Sequence, residues 1–219
     1  MRECKDDEID VKIWGDGALF TDPLTSGGER YSYPHPTPSA IKGIASKFLW
    51  KPEMDWEVIA IGIQKPILRD SRMANELKNI PSLRMLKDGG TSVAQLGRSQ
   101  RRIVFLRDVS YVVRLRFVVL NTGGGTNTIK KYKEMFRRRL RQWRVQRGDP
   151  VLGTTPFYCS CKEAILSEWD SLENINTQGD LMFYGFNYAD PKDIQPTLFM
   201  SVIKGGLVET DPRSVKIFQ

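Results

Sequence analysis

An α+β fold of the ferredoxin-like type is predicted by three features of the 219-residue chain. Apolar segments of strand and helix period follow one another as strand, helix, strand, strand, helix, strand, the split β-α-β-β-α-β unit. A polar insertion separates the two central strands. A shorter, aromatic-rich tail follows the last strand. The expected organisation is a ferredoxin-like domain over residues 1–165, with an inserted arm at 68–102, and a small β-rich C-terminal subdomain over 166–219.

Asp10 to Trp14 alternates polar and apolar residues and reads as the first strand; the Gly- and Pro-rich stretch Gly15 to Pro38 is a long structured loop. Pro38-Ser39 opens the first helix, because proline's fixed φ suits a first turn, and Ile41, Ile44, Ala45 and Phe48 follow at helical spacing before Lys51-Pro52 stops it. Trp56 to Pro66 is a strand with Val58, Ala60 and Gly62 on one face and Ile59, Ile61 and Ile63 on the other, so it is expected inside a sheet. Leu68 to Arg102 is polar, basic and weakly patterned, with a turn signal at Asp88-Gly89-Gly90, and reads as an inserted arm or hairpin. Ile103 to Leu120 holds a long strand, strongest from Ser110, and Phe157 to Lys162 supplies the last one. Beyond Glu168, the runs Phe183 to Tyr188 and Leu198 to Ile203 and the pair Gly205-Gly206 describe the β-rich tail. Trp50 and Trp56 are assigned to the core.

The second helix carries the strongest functional signal. Ile129 to Arg147 holds nine Lys and Arg residues against one acid, Glu134, a local charge of 9 − 1 = +8 in a chain whose total is +7. Ile129, Tyr132, Phe136, Leu140 and Trp143 form one stripe that buries. Thr126, Asn127 or Thr128 can cap its start after Gly123-Gly124-Gly125, and Gly148-Asp149-Pro150 stops it. So many like charges repel one another along a helix unless a polyanion arrives, so the ridge is expected to bind nucleic acid.

Arg137, Arg138, Arg141 and Arg144 can each grip phosphate with a two-pronged guanidinium, with Lys133 adding charge on the same helix and Lys42 on the first one. Arg98, Arg101 and Arg102 can hold a second stretch of backbone, or form a solvated arm. Tyr31 and Tyr33 are stacking platforms for unpaired bases, or packing residues of a proline-held loop. Lys204 before Gly205-Gly206 allows close approach of a phosphate, as would a plain turn.

Other chemistries are disfavoured. The apolar runs are far too short to span a bilayer, and the charged start MRECKDDEID lacks an apolar signal region, so no membrane association and a cytoplasmic location are expected. Cys4, Cys159 and Cys161 form no disulfide framework and read as small core residues; with a single histidine they cannot complete a four-ligand zinc site, so no metal and no cofactor is expected. His35, between Pro34 and Pro36, reads as a loop residue with no proton to move. The aromatic signature of an RNA-recognition motif is missing.

The stretch Gly15 to Glu53 (GDGALFTDPLTSGGERYSYPHPTPSAIKGIASKFLWKPE) is distinctive, and further motifs follow in order. These are Lys65-Pro66-Ile67, Asn75-Glu76, Gln100-Arg101, LRDVSYVV from Leu106, Pro156 to Glu163 around Cys161-Lys162-Glu163, and Gly185-Phe186-Asn187-Tyr188. Together they resemble the CRISPR-associated RAMP-superfamily proteins of the subtype I-C interference complex, the Dvulg type. The resemblance implies a ferredoxin-like protein with a β-rich C-terminal part that binds the 5′ handle of CRISPR RNA (crRNA) and cuts the repeat of its precursor without a metal. It implies as partners the crRNA and its precursor, the backbone and large subunits of the complex, and target DNA through that complex.

The family's cutting positions differ here. A Tyr, sometimes a His, often precedes its Trp-Lys-Pro motif, where this chain has Leu49; its Lys-His pair matches Lys130-Lys131; and Tyr184 stands where relatives can show another His. Lys130, Lys131 and Tyr184 are therefore the expected catalytic residues, Lys131 holding the scissile phosphate and a tyrosine supplying a proton, with Tyr31, Tyr33 and Tyr132 as other candidates. A lysine serves as base only where crowding with like charges lowers its pKa. The alternative role is a non-catalytic assembly subunit that caps the 5′ handle; a general basic nucleic-acid-binding protein fits the specific loop motif less well.

Overall fold

The structure, a computed structural model, describes residues 3–78, 84, 87, 97–120, 126–188, 190 and 192–218. The first half supplies β1 (Glu8–Ala18), β2 (Arg30–Tyr31), α1 (Pro38–Phe48), β3 (Met54–Ile63), β4 (Leu68–Leu77) and β5 (Arg98–Val119). The second half supplies α2 (Thr126–Arg141), β6 (Ser160–Glu163), a 3-10 turn at Leu166–Ser171, β7 (Asp180–Asn187), β8 (Gln195–Ser201), β9 (Ile203–Lys204), β10 (Leu207–Glu209) and β11 (Ile217–Phe218). It is a mixed α/β protein, mostly antiparallel sheet with few helices. The main sheet runs β6-β1-β5-β3-β10-β9, with β2 and β4 also on β5. A separate three-stranded sheet runs β11-β8-β7. The tail is thus divided, since β9 and β10 extend the main sheet beyond β3.

Strand alternation sets the two faces of the main sheet. On β1, Ile9, Val11 and Ile13 enter the principal core, where they meet α1 and α2. The opposite face buries Ala60 and Val112 under Trp169, which the 3-10 turn delivers. The expected faces of β3 are corrected here. A bulge between Val58 and Ala60 shifts the alternation, so Val58 shares the principal core with Ile61 and Ile63 while Ala60 faces Trp169.

α1 starts at Pro38, as its sequence predicts, and the structure adds a cap, the Thr37 hydroxyl accepting from the Ala40 amide at 3.2 Å. Ile41, Ile44, Ala45 and Phe48 are its buried face. α2 buries Tyr132, Phe136 and Leu140, with the Phe136 ring against Phe48, Trp56 and Phe117. It ends at Arg141, earlier than the Gly148 stop suggests. Trp143 adopts φ 49°, its amide donates to Leu140, and the Arg144 amide donates to Arg139. That is the Schellman closure, made by a tryptophan where glycine is usual. The closure takes Trp143 off the buried stripe, leaving it 41% exposed with an edge on Phe48, and carries Arg144 beyond the helix.

The polar arm is a two-stranded ribbon: Leu68–Leu77 pairs with Arg107–Arg98, and β5 continues unbroken into the central sheet. The expected turn at Asp88-Gly89-Gly90, and the glycines 123–125, lie outside the described residues.

Two further assignments are corrected. Trp50 is 43% exposed, because α1 has ended and its ring carries the Arg147 guanidinium at 4.5 Å instead of entering the core. Cys4 is exposed, lying before the first strand, whereas Cys159 and Cys161 are buried. No helix among the described residues is long and apolar enough to cross a membrane.

Candidate nucleic-acid interface and cleavage site

Burial of Tyr132, Phe136 and Leu140 turns the charged side of α2 outward. Its cations fall into two sets. Arg137 Nε lies 2.7 Å from Glu163 and its Nη1 2.9 Å from Glu134. Burial alone would lower its pKa, but those two bonds outweigh burial and raise it. Arg139 donates to the Phe48 carbonyl at 2.7 Å, and Lys133 reaches the carbonyls of Lys5 and Asp6 at 3.3 Å. These three fasten the helix to the rest of the protein. Lys130, Lys131, Arg138 and Arg141 are exposed. Among the described residues the ion pairs of α2 belong to Arg137 and Glu134, so these four cations keep their charge for an external anion. A groove of about 420 Å³ is lined by Lys131, Glu134, Met135, Arg138 and Arg141.

At the head of the helix the Tyr132 ring is buried, but its hydroxyl donates to Glu53 Oε1 at 2.5 Å. Glu53 closes the Trp50-Lys51-Pro52-Glu53 motif and is only half-buried. The Tyr132 bond and the residue's own amide hold its carboxyl below the usual range, helped by Lys51 and Lys131. The same bond pushes the Tyr132 phenol up. Glu53 was not among the sequence-based candidates. Its position at the end of a motif was visible, but its partner lies 79 residues away.

Leu49, which precedes the Trp50-Lys51-Pro52 motif, is fully buried, and its carbonyl accepts from Trp56 Nε1 at 3.0 Å. Lys130 and Lys131 stand together at the start of α2, whereas Tyr184 has different surroundings. Its hydroxyl donates to the Thr210 carbonyl at 3.2 Å, and its ring sits edge-on to Phe199. Burial, then Glu57, Asp211 and Asp55, push its phenol well above the usual range. Its charged neighbours are carboxylates, not the cations of α2.

Tyr31 is 40% exposed and carries the Arg69 guanidinium at 5.2 Å. Tyr33 is buried and donates to Asp22 at 3.3 Å; burial and then Asp22 push its phenol up to about 12. On the ribbon, Arg101 contacts Glu76 at 3.5 Å and donates to the Ser26 carbonyl at 3.2 Å, Arg102 reaches Ser71 at 3.4 Å, and Arg98 stands opposite Leu77. Lys42 pairs with Asp55 at 2.9 Å. Lys204 is exposed at the turn where Gly205 and Gly206 both take positive φ, and the Glu173 carbonyl leaves no room for a Cβ on Gly206. The sole histidine, His35, is buried, which lowers its pKa to about 4.

The family model for the CRISPR-associated protein family Cas5, in its Cas5d form, matches residues 8–206. A protein of Thermus thermophilus named CRISPR pre-crRNA endoribonuclease Cas5d is 34% identical over 149 residues, which are 68% of this chain and 61% of that one, less than two thirds of its length. One of Mannheimia succiniciproducens with the same name is 30% identical over 221 residues, covering 93% of this chain and 95% of that one. Two crystal structures share the fold. The functionally uncharacterized SMU1763c of Streptococcus mutans has a TM-score of 0.66 at 20% identity, with 97% of each chain covered. A CRISPR-associated protein has a TM-score of 0.66 at 21% identity, with 97% of this chain and 96% of that one covered.

Proposed function

The chain belongs to the CRISPR-associated Cas5 family, of the Cas5d type, and from that premise we propose that it is an endoribonuclease that cuts the repeat of precursor crRNA and stays on the 5′ handle of its product. The observation that carries this reading is the set of three unpaired cations, Lys131, Arg138 and Arg141, along one groove of α2, with the exposed Lys130 beside Lys131. The strand order β6-β1-β5-β3, with α1 and α2 in the two crossovers, supports the finer reading of a ferredoxin-like unit over residues 1–165, extended by a β-rich tail over 166–219.

The step is attack of a ribose 2′-oxygen on the adjacent phosphorus, leaving a 2′,3′-cyclic phosphate and a free 5′-hydroxyl. Its demand is stabilisation of charge on the phosphorane oxygens, which lysine and arginine meet without a metal. Lys131 and Lys130 hold the scissile phosphate. Arg138 and Arg141 hold its neighbours, and Lys133, Arg137 and Arg144 add to the field of the ridge. Tyr31, Arg98, Arg101 and Arg102 offer a second contact surface on the ribbon, and Tyr33, Lys42 and Lys204 lesser ones, as each is already packed or paired or lies on a tight turn. Tyr184 can donate a proton only by giving up the Thr210 carbonyl. The partners that follow are the backbone and large subunits of the subtype I-C complex, with target DNA met through the complex, in the cytoplasm.

One observation favours a second reading, a handle-capping subunit that does not cut: a buried Leu49 stands where the family resemblance leads one to expect a Tyr or a His. Incubating the purified protein with its cognate repeat RNA in EDTA, and mapping the product ends, separates the two. Cyclic-phosphate and 5′-hydroxyl ends are expected. Repeat RNA that binds tightly yet stays whole at protein excess would establish capping instead.

A further inference from the structure

We propose that Glu53 is the general base of the cleavage step and that Tyr132 is the residue that aims it; the assignment rests on the endonuclease reading. Strand attack needs a group that takes the 2′-hydroxyl proton beside cations that hold the phosphoryl oxygens. The only imidazole is buried with both nitrogens engaged, at 2.9 Å from the Pro36 carbonyl and 2.7 Å from Ser201 Oγ, so it cannot serve. Glu53 meets the requirement. It is half-exposed, and its bonding partner Tyr132 is the chain neighbour of Lys131, which lines the basic groove and favours the ionised carboxylate.

The Tyr132 hydroxyl fixes the carboxylate from a ring locked in the core, so the orientation is set before RNA arrives. A carboxylate offers about four acceptor positions, and one bond from tyrosine leaves others for the 2′-hydroxyl. The charged groups facing it are Lys131 from α2 and Lys51 from its own segment, with the Tyr132 phenol as the third titratable neighbour. All of them favour the ionised form, so Glu53 is a base across the whole neutral range.

The step balances. The 2′-hydroxyl proton passes to a Glu53 oxygen as the 2′-oxygen bonds to phosphorus, and the bond from phosphorus to the 5′-oxygen breaks. The leaving oxygen takes a proton from the Lys131 ammonium, and the protonated Glu53 and neutral lysine exchange their proton through water.

The test is single-turnover cleavage of cognate repeat RNA at saturating protein, followed against pH, for the wild type, Glu53→Gln and Tyr132→Phe, with RNA affinity measured in parallel. The wild-type rate should rise through one ionisation below the ordinary glutamate pKa of about 4.3 and stay flat through neutrality. Glu53→Gln keeps the shape and an oxygen for Tyr132, and should cut at least about 100-fold more slowly with RNA affinity undiminished. Tyr132→Phe should cut more slowly and move the inflection to higher pH, because the carboxylate loses its donor. A Glu53→Gln protein that cuts at the wild-type rate, or a wild-type rate still climbing above pH 8, would overturn the assignment while the endonuclease reading stands. Wild-type protein that leaves the RNA whole would overturn that reading and this one with it.

Discussion

His35 Nε2 lies 2.7 Å from Ser201 Oγ, a contact that ties the Gly- and Pro-rich loop to β8 across 166 residues of chain. The other ring nitrogen meets the Pro36 carbonyl at 2.9 Å, so the ring is fully committed to structure. Burial holds its pKa at about 4, below the ordinary value of 6.5. As pH falls below 6.5 the unfolded chain gains a proton that the folded one refuses until about 4. The stability contributed by the neutral ring is therefore complete above 6.5 and lost across that window, by up to about 3 kcal/mol. Urea unfolding of the wild type and His35→Asn at pH 7 and pH 4.5 checks this. The variant should be less stable at pH 7 and lose less on acidification; equal losses would remove His35 as the cause.

The buried pair of Asp10 and Arg114 gives a second stability prediction. Two bonds of 2.8 Å join them, and Trp169 Nε1 donates to the same carboxylate at 2.8 Å. Arg114 is fully buried. Asp10→Ala removes both bonds from a buried charge and should cost about 3–5 kcal/mol by denaturant unfolding. A loss below 1 kcal/mol would mean that the guanidinium finds another partner.

RNA affinity should fall steeply with salt, and the two sets of cations on α2 should differ. Arg138→Ala with Arg141→Ala removes two unpaired charges and should flatten the logarithmic salt slope by about 1.4, at about 0.7 per single-strand phosphate contact. Arg137→Ala should change it less, because Glu134 and Glu163 already hold that guanidinium. Equal slopes for the double variant and the wild type would remove the groove from the binding site.

A single deoxyribose at the cut nucleotide removes the attacking oxygen. Such an RNA should bind as tightly as the ribose form and remain whole, read by gel shift and product mapping. Cutting of the deoxy-substituted strand would exclude 2′-hydroxyl attack.

Much of the frame was legible because it rests on periodicity. The strands around Val11, Ile61 and Val113 and the buried Tyr132, Phe136 and Leu140 follow from spacing, and the start of α1 from Pro38. What stayed hidden depends on contacts between distant segments or on single unusual dihedrals. Trp143 takes a left-handed conformation that its side chain does not advertise, so the helix ends well short of Gly148. The bulge after Val58 re-sorts a run of apolar residues that alternation alone divides wrongly. Charge counting found the ridge, yet Glu163 and the Phe48 carbonyl decide which arginines stay free. Glu53 could not be found at all until the fold set it against Tyr132.

Lys131→Ala tests whether RNA cleavage takes place at the head of α2. Single-turnover cutting of cognate repeat RNA in EDTA, at saturating protein, separates chemistry from binding. Loss of one phosphorane-stabilising cation should slow the cut by about 100-fold or more while the RNA still binds. A Lys131→Ala protein that cuts as fast as the wild type would remove the head of α2 from the chemistry.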